Sequence, residues 1–461
     1  MELRNYQEKL VRDIYQQWHQ HRRIMAQLPT GGGKTVIFSH IAQSFLERGH
    51  GVLVLAHRQE LISQAADKLA AIAPRPAGIV RAGVRPDYSA PIQVASVQSA
   101  IRRLHKLPHP GLVVIDEAHH AIAQTYRKIL DNFPAAYQLG VSATPCRTDG
   151  SGFNDLFEAM VCGPSVRSLI EAGHLSQFRL FADPRPMTTK GAKTRQGDYS
   201  TGDVAALNPA IELSGNLVAS YRHHCPGKRC IVFAVNVEHS KTIAARYQAA
   251  GIPAAHLDGN SSPDERQRTL AAFARGDLLV LSNVGLFTEG FDLPALDAVQ
   301  IARPTKSLAL WLQMVGRALR PSPGKDQAVL IDHTKNWAIH GLPTRPRVWS
   351  LDGVEPEKAV AQRDRKSGEV SEGEESTEII EADRVLQQVE DDALGEWDAV
   401  WSELLEIQKA RDYKASWLWY RLQELRPPLE IWRRLAIAMG NKPGWAWYQF
   451  KKFSLTEDTA A

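Results

Sequence analysis

The chain has 461 residues and a mass of 51.2 kDa, a length that fits two to four domains. Its 44% hydrophobic and 23% charged residues, with a net charge of +4, are those of an ordinary globular protein. No apolar run is long enough for a transmembrane helix, the first ten residues are too charged for a signal peptide, and four cysteines cannot form a disulfide framework. We therefore expect a protein of the reducing cytoplasm.

The charge is distributed unevenly along the chain. Residues 352–395 contain fourteen Asp and Glu against five Lys and Arg, whereas residues 1–351 carry a net charge of +12. Seven of the eleven tryptophans lie between Trp397 and Trp447. The near-neutral total therefore conceals a basic body, an acidic connector and an aromatic-rich end.

The first 167 residues alternate short apolar strands with helical stretches. Uninterrupted runs of Val, Ile and Leu are typical of buried parallel strands, and the helical stretches supply the crossovers between them. The predicted strands are residues 24–28, 52–56, 92–95, 112–115 and 139–141. This alternation predicts a doubly wound parallel sheet.

The alternation weakens over residues 168–212, which we interpret as an inter-lobe connection, and resumes over residues 213–350. A second α/β lobe follows from the strands predicted at residues 230–234, 254–257, 278–282, 298–301 and 328–331. Four potential zinc ligands lie close together in this lobe: His223, His224, Cys225 and Cys230. Because the chain has no CxxC pair, we interpret them as structural residues.

The last quarter of the chain is predicted to be an acidic flexible linker, residues 351–395, followed by a helical module, residues 396–461. The module contains the pattern K-x-x-W-x-W-Y-x-apolar twice, at residues 414–422 and 442–450. Its aromatic and basic residues could form a surface that binds nucleic acid. Alternatively, most of the tryptophans form the core of a small helical domain, which is the interpretation that we favour.

The strongest local signal is the segment LPTGGGKT, residues 28–35. A strand that leads into a glycine loop and then a helix presents backbone N–H groups to phosphate oxygens. Lys34 would neutralise the β- and γ-phosphates, and the Thr35 hydroxyl would bind Mg²⁺. The general pattern asks for glycine where this chain has Leu28, so a glycine-rich turn without a ligand stays the alternative.

Two acidic residues follow the strand predicted at residues 112–115. A carboxylate at the carboxyl end of a strand, here Asp116, can hold Mg²⁺, and its neighbour Glu117 can orient and deprotonate the attacking water. Their position, about 80 residues after the glycine loop, argues against a merely polar strand end.

These motifs and several others occur in the order found in superfamily 2 helicases and translocases, which the chain resembles. The matching segments are residues 4–7 (Q motif), 30–35 (I), 54–61 (Ia), 116–119 (II, in the DEAH form), 142–145 (III), 283–292 (V) and 313–320 (VI). The resemblance implies an α/β fold with two tandem RecA-like parallel-sheet lobes, here with a small α-helical module at the C-terminal end. It also implies ATP and Mg²⁺ as cofactors.

The resemblance and the loop chemistry together imply four sets of site residues. Catalysis is assigned to Lys34, Asp116, Glu117, Gln313, Arg317 and Arg320. The two arginines would reach the γ-phosphate when the lobes close. ATP binding is assigned to Arg4, Gln7, Thr30, Gly31, Gly32, Gly33, Lys34, Thr35, Gly290 and Asp292, with Thr35 and Asp116 on Mg²⁺. Coupling is assigned to His119, Ser142 and Thr144. Nucleic-acid binding is assigned to His57, Arg58, Gln98, Thr288 and Arg303.

Within superfamily 2, residues 1–345 look like the RadD-type group of bacterial and phage DNA-repair ATPases, near the XPB and UvsW types. This predicts a DNA helicase or translocase acting in repair, recombination or replication on single-stranded, forked or branched DNA. We expect a monomer, no membrane association, and a replication or repair protein as a possible partner of the C-terminal module. The alternatives are a DEAH-type RNA helicase and, of another class, a non-catalytic nucleic-acid-binding adaptor that uses the motor fold as a clamp.

Overall fold

The computed structural model describes two compact units. Its described residues are 2–57, 59–70, 72, 75–118, 123–147, 150–183, 186–195, 197–208, 210–287, 296–353, 387–389 and most of 397–450. The first unit contains the described residues of 1–164, 168–340 and 349–389. The second contains those of 165–167, 341–348 and 390–461.

The first lobe is a seven-stranded parallel sheet. Its strands are β1 (Arg23–Gln27), β2 (Val52–Ala56), β3 (Gly78–Val80), β4 (Ile92–Ser96), β5 (Leu112–Asp116), β6 (Tyr137–Ser142) and β7 (Ala159–Cys162), in the order β3-β4-β2-β5-β6-β1-β7. The helices of this part of the chain are α1 (Asn5–Gln17), α2 (Lys34–Glu47), α3 (Gln59–Ala70), α4 (Val97–Arg102), α5 (Ala123–Asp131) and α6 (Val166–Glu171), with a 3₁₀ turn at Leu104–Lys106. All five residues of β2 and of β5 are buried, as expected for central strands with both faces covered.

The second lobe is another seven-stranded sheet, in the order β12-β13-β11-β14-β15-β8-β16. The strands are β8 (Gln177–Ala182), β9 (Thr194–Arg195), β10 (Asp198–Tyr199), β11 (Cys230–Ala234), β12 (Ala254–Leu257), β13 (Val280–Asn283), β14 (Ala298–Ala302), β15 (Gln327–Asp332) and β16 (Gln387–Val389); β9 and β10 form a separate hairpin. The helices are α7 (Thr201–Leu207), α8 (Ala210–His224), α9 (Val237–Ala249), α10 (Pro263–Arg275), α11 (Leu308–Gly316) and α12 (Asn336–His340). The two parallel-sheet lobes confirm the predicted fold class.

Two strands of the second sheet come from segments that the sequence predicts to be a connection and a linker. β8 lies within residues 168–212 and pairs in parallel with β15. Only its last three residues are buried. Gln177 and Arg179 interrupt the apolar run, and the sequence pattern therefore does not indicate a strand here. β16, near the end of the acidic segment, pairs antiparallel with β8 at the edge of the sheet.

After the second lobe the chain returns to the first. The carbonyl oxygen of Leu351 accepts hydrogen bonds from the backbone N–H groups of Phe153 (2.6 Å) and Asn154 (3.0 Å), and Ser151 forms a β-bridge with Gly353. The Leu351 side chain packs against the apolar core of the first lobe. Residues 351–353 are therefore a return segment of the first lobe.

The second unit is a small helical body that contains α13 (Ala415–Leu425) and α14 (Leu429–Ala438). Its core includes the buried tryptophans Trp397, Trp401 and Trp432, and the partly buried Trp417, Trp419 and Trp445 pack against it. This confirms the interpretation that most of the tryptophans are core residues. Trp447 and the lysines that begin the two repeats, Lys414 and Lys442, lie outside the described residues.

Candidate active site and nucleic-acid interface

The glycine loop joins β1 to α2 and takes backbone conformations that require glycine. Gly31 has φ of 87° and Gly33 has φ of 91°, both in the left-handed region. A Cβ on Gly33 would lie 2.4 Å from Nε2 of Gln7, and one on Gly32 would lie 2.8 Å from Cγ of Leu28. The loop is thus a cradle of bare backbone at a helix N-terminus, which suits phosphate oxygens.

The first helix holds this loop from the side. Gln7 accepts a hydrogen bond at Oε1 from the Arg4 N–H (3.0 Å) and donates from Nε2 to the carbonyl oxygen of Gly32 (3.1 Å). The hydroxyl of Tyr6 donates to the same oxygen at 2.8 Å. The structure therefore places Gln7 on the phosphate loop, and its contact with adenine stays a prediction. The sequence pattern does not predict this role of Tyr6, although Tyr6 directly precedes Gln7.

The acidic pair lies opposite the loop lysine. Asp116 ends β5 and is buried, and Nζ of Lys34 lies 3.4 Å from Oε1 of Glu117, with both side chains about nine-tenths buried. Burial, followed by the charge of Glu117, raises the pKa of Asp116 to about 7, and the charge of Lys34 opposes this. Asp116 therefore holds a proton more readily than an exposed carboxyl group does, and a bound divalent cation would compete with that proton.

Glu117 has a strained backbone. Its φ of 49° is the one positive value among the non-glycine residues that the structure describes. Such a conformation costs about 1–3 kcal/mol and tends to occur at functional sites. Here it accompanies the placement of the Glu117 carboxylate beside Lys34.

A buried turn connects the end of β6 to the strand that precedes the glycine loop. The Ser142 hydroxyl donates to the carbonyl oxygen of Thr144 (2.9 Å) and accepts from the Thr144 N–H (3.2 Å). Gln27, the last residue of β1, donates from Nε2 to the carbonyl oxygen of Ala143 at 3.0 Å. The turn is thus hydrogen-bonded to the strand that leads into the glycine loop, and the coupling role of Ser142 and Thr144 stays a prediction.

The second lobe reaches the glycine loop through the end of α11. A Cβ on Gly316 would lie 2.8 Å from Cβ of Thr30, so the two backbones approach closely here. A Cβ on Gly31 would lie 3.6 Å from Cγ of Arg320. Arg317 and Gln313 belong to the same segment and are both buried. The structure thus brings the predicted arginine of the second lobe next to the loop.

Lys325, which was not predicted from the sequence, holds this arginine segment in place. Its ammonium group donates to the carbonyl oxygens of Leu296 (2.7 Å), Arg320 (2.9 Å) and Ala318. Burial lowers the pKa of Lys325 to about 8, against the opposing charge of Asp297. No local motif contains it, because its partners lie up to 29 residues away.

The predicted nucleic-acid contacts that can be located follow the carboxyl ends of strands. His57 follows β2, and the exposed Gln98 lies in the first turn of α4 after β4, a neighbour of β2. Arg303 follows β14, with a guanidinium nitrogen 3.9 Å from the position of a Cβ on Gly285. In parallel α/β sheets this edge is where ligands bind. The predicted residues Arg58, His119, Thr288, Gly290 and Asp292 lie outside the described residues.

The cysteines and histidines considered as zinc ligands are packed in the second lobe. Cys225 and Cys230 are buried, and the His224 ring stacks on Phe181 with ring centroids 3.9 Å apart. Within the described part of the chain, no three His, Cys, Asp or Glu residues are placed to hold a metal ion together. Among the same residues, no helix has the length and apolar character that crossing a membrane requires.

Comparisons with known proteins agree with this architecture. The family described as "Type III restriction enzyme, res subunit" matches residues 1–147, and "Helicase conserved C-terminal domain" matches residues 211–322. The chain is 36% identical over 326 residues to a "51.5 kDa protein" of Lactococcus phage (isolate 7-9), a match that covers 70% of this chain and 68% of the phage protein. It is 32% identical to "Putative ATP-dependent helicase IRC3" of Saccharomyces cerevisiae, covering 72% of this chain but only 51% of the yeast protein.

One solved structure extends the agreement to the fold. The fragment structure of a "putative HsdR subunit of a type I restriction enzyme" from Vibrio vulnificus superposes with a TM-score of 0.58 at 22% identity. The superposition covers 74% of this chain and 67% of that chain. At this identity the likeness concerns the fold alone.

Proposed function

We propose that this chain moves along DNA in repair, recombination or replication. The premise is that the chain belongs to superfamily 2 of the helicases and hydrolyses ATP. The observation that carries the proposal is the meeting of the two lobes at the glycine loop. Gly316 and Arg320 of one lobe lie against Thr30 and Gly31 of the other. Hydrolysis at such a junction can be converted into relative motion of the lobes.

The residues at the junction fit ATP and Mg²⁺. The glycine loop has no side chains where phosphate oxygens would lie, and Lys34 supplies the compensating charge. Asp116 would hold Mg²⁺ together with Thr35, and Glu117 would take the proton of the attacking water. Lys34 must leave Glu117 when it turns to a phosphate, which frees the carboxylate for this role.

We favour DNA, single-stranded, forked or branched, over RNA. The first lobe matches a family described by a subunit of restriction enzymes, which act on DNA. The sequence resemblance to RadD-type repair ATPases supports the same choice. The second unit is the candidate binding body for a replication or repair protein, and we propose a monomer in the cytoplasm of a bacterial or phage-infected cell.

The test is a panel of ATPase assays with single-stranded DNA, duplex DNA, forked DNA and RNA, each at equal nucleotide concentration. We expect DNA to stimulate hydrolysis, with forks or single strands most effective. Stimulation by RNA alone would instead support the RNA helicase alternative. Nucleic-acid binding without hydrolysis under any condition would support the adaptor alternative.

Replacing Glu117 with glutamine should slow hydrolysis on the order of 10²–10⁴-fold, because the amide cannot accept the proton of the attacking water. ATP binding should persist, since Lys34 loses an ion-pair partner and remains available to phosphate. The measurements are single-turnover hydrolysis and binding of a fluorescent ATP analogue. Glu238→Gln, at an exposed carboxylate in the first turn of α9, is the matched control. Normal turnover in Glu117→Gln would contradict the assignment.

Replacing Gly316 with alanine should push the lobes apart at the glycine loop. The added Cβ would lie 2.8 Å from the Thr30 side chain, a distance at which something must move. We expect DNA-stimulated hydrolysis to fall about tenfold or more, while the melting temperature stays near that of the wild type. Gly202→Ala is the control, since a Cβ there would meet nothing within 4 Å. Equal activity of the two variants would argue against this contact in the active enzyme.

A further inference from the structure

The second lobe carries a short β-hairpin that no predicted motif includes. Strands β9 and β10 pair antiparallel, Arg195 with Asp198 and Thr194 with Tyr199, around a turn that contains Gly197 at φ of 82°. A second left-handed glycine, Gly191 at φ of 91°, precedes the hairpin. We call residues 190–199 the basic hairpin, because it contains two lysines and an arginine against one aspartate.

One residue of the hairpin is tied to the loop that follows β14. From that loop Asp198 accepts two hydrogen bonds, at Oδ2 from the Thr305 hydroxyl (2.8 Å) and at Oδ1 from the Lys306 N–H (2.7 Å). The Lys306 ammonium donates to the Thr194 hydroxyl (2.6 Å) and lies 4.9 Å from the centroid of the Tyr199 ring. The single acidic side chain of the hairpin thus attaches it to this loop.

The loop that receives the hairpin is itself fixed. The N–H of Thr305 donates to Oδ1 of Asn336 (2.9 Å), and Nε2 of His340 lies 2.9 Å from the carbonyl oxygen of Thr305. Thr305 is fully buried, and Asn336 is as well. A hairpin with two residues in each strand would be only marginally stable in water by itself. The hydrogen bonds to the loop after β14 therefore fix its position.

The outer side of the hairpin presents positive charge to solvent. Lys190, Lys193 and Arg195 are exposed, and the structure shows no hydrogen-bond or ion-pair partner for their side chains among the described residues. The inner side packs Ala192 and Tyr199 against the core of the lobe. Three cations that the fold does not use for stability are therefore carried by a segment whose hairpin is anchored to the lobe.

The hairpin is attached near the carboxyl end of β14, where Arg303, a predicted nucleic-acid contact, also lies. Thr305 and Lys306 follow the carboxyl end of β14, as does Arg303, which lies beside Gly285 after β13. We propose that the basic hairpin is a contact of the second lobe for the phosphodiester backbone of nucleic acid, with Lys190, Lys193 and Arg195 on phosphates. This inference rests on the proposed function and adds to it a binding element outside the helicase motifs.

The test compares two triple variants that remove the same number of positive charges. The first is Lys190→Ala with Lys193→Ala and Arg195→Ala. The control removes three exposed lysines on segments that lead into the amino ends of β5, β6 and β11: Lys106, Lys128 and Lys228. Binding of a fluorescein-labelled 30-nucleotide poly(dT) is measured by anisotropy from low to high salt, and thermal melting checks that both proteins are folded.

We expect the hairpin variant to bind on the order of 10–100-fold more weakly near physiological salt, and its plot of log affinity against log salt to be shallower by about 2. The control should match the wild type. Equal behaviour of the two variants would overturn the inference while leaving the proposed function intact. Failure of the wild type to bind any nucleic acid would instead overturn the proposed function.

A second measurement does not depend on how the triple variant folds. Arg195→Cys, labelled with a thiol-reactive benzophenone, should crosslink to the poly(dT) strand on illumination, and excess unlabelled strand should suppress the product. Lys228→Cys, labelled in the same way, is the control. Crosslinking no greater from position 195 than from position 228 would also overturn the inference.

Discussion

Replacing Lys34 with alanine should reduce ATP hydrolysis by about 10³-fold, because the phosphates lose the one charge that the glycine loop brings to them. The structure adds a second reason for a large effect. Without Lys34, the Glu117 carboxylate would lose its ion-pair partner, and the opposing charge of Lys34 on the buried Asp116 would also be lost. Repulsion would then favour protonation of one of the two acids, and Mg²⁺ binding and water activation would both be weakened.

The measurement is the steady-state ATPase rate with saturating single-stranded DNA, together with binding of a fluorescent ATP analogue. The control is Lys128→Ala, at an exposed lysine of α5, which should keep the wild-type rate. A Lys34→Ala protein that melts like the wild type and still hydrolyses ATP at more than a tenth of its rate would refute this assignment.

Replacing Arg320 with alanine should lower the rate on the order of 10³–10⁵-fold, the range for loss of an arginine that stabilises the transition state of phosphoryl transfer. Arg320 lies beside Gly31, and Lys325 fixes its backbone through the Arg320 carbonyl oxygen. Arg317 is a poorer first choice because it is only 6% exposed, so its removal would also create a cavity.

Arg320→Lys separates charge from geometry. A lysine keeps the charge but lacks the planar fork that can bind two oxygens, so we expect only partial recovery of the rate. ATP binding should change little in either variant, because the main effect is on the transition state. Arg275→Ala, at an exposed arginine of the same lobe paired with Asp277, is the control. Full recovery with lysine would show that Arg320 acts only through its charge.

The candidate ATP site of the first lobe could be located in the sequence because its residues lie in short contiguous segments. Gly31 and Gly33, just before Lys34, have left-handed backbone conformations that favour glycine. Asp116 ends, and Glu117 follows, a strand whose first four residues are apolar. Most strands of the two lobes could be predicted in the same way, from runs of Val, Ile and Leu. In each of these cases, the physical cause lies within about ten residues of the signal.

What could not be predicted depends on residues far apart in the chain. No sequence pattern distinguishes Lys325 from other lysines. Its role depends on the carbonyl oxygens of Leu296 and Ala318, which only the fold brings to its ammonium group. The basic hairpin was part of a polar stretch, and its defined position depends on a buried loop more than 100 residues later. β8 became a strand because β15 offers a partner for pairing, although polar residues interrupt its own apolar run.

The return of Leu351 to the first lobe means that the two lobes are connected twice by covalent chain. The first crossing runs between β7 and β8, and the second between α12 and the return segment. Two covalent connections restrict the relative motion of the lobes more than a single connection would. Residues 341–348 could span at most about 30 Å when extended, which also limits how far the second crossing can open.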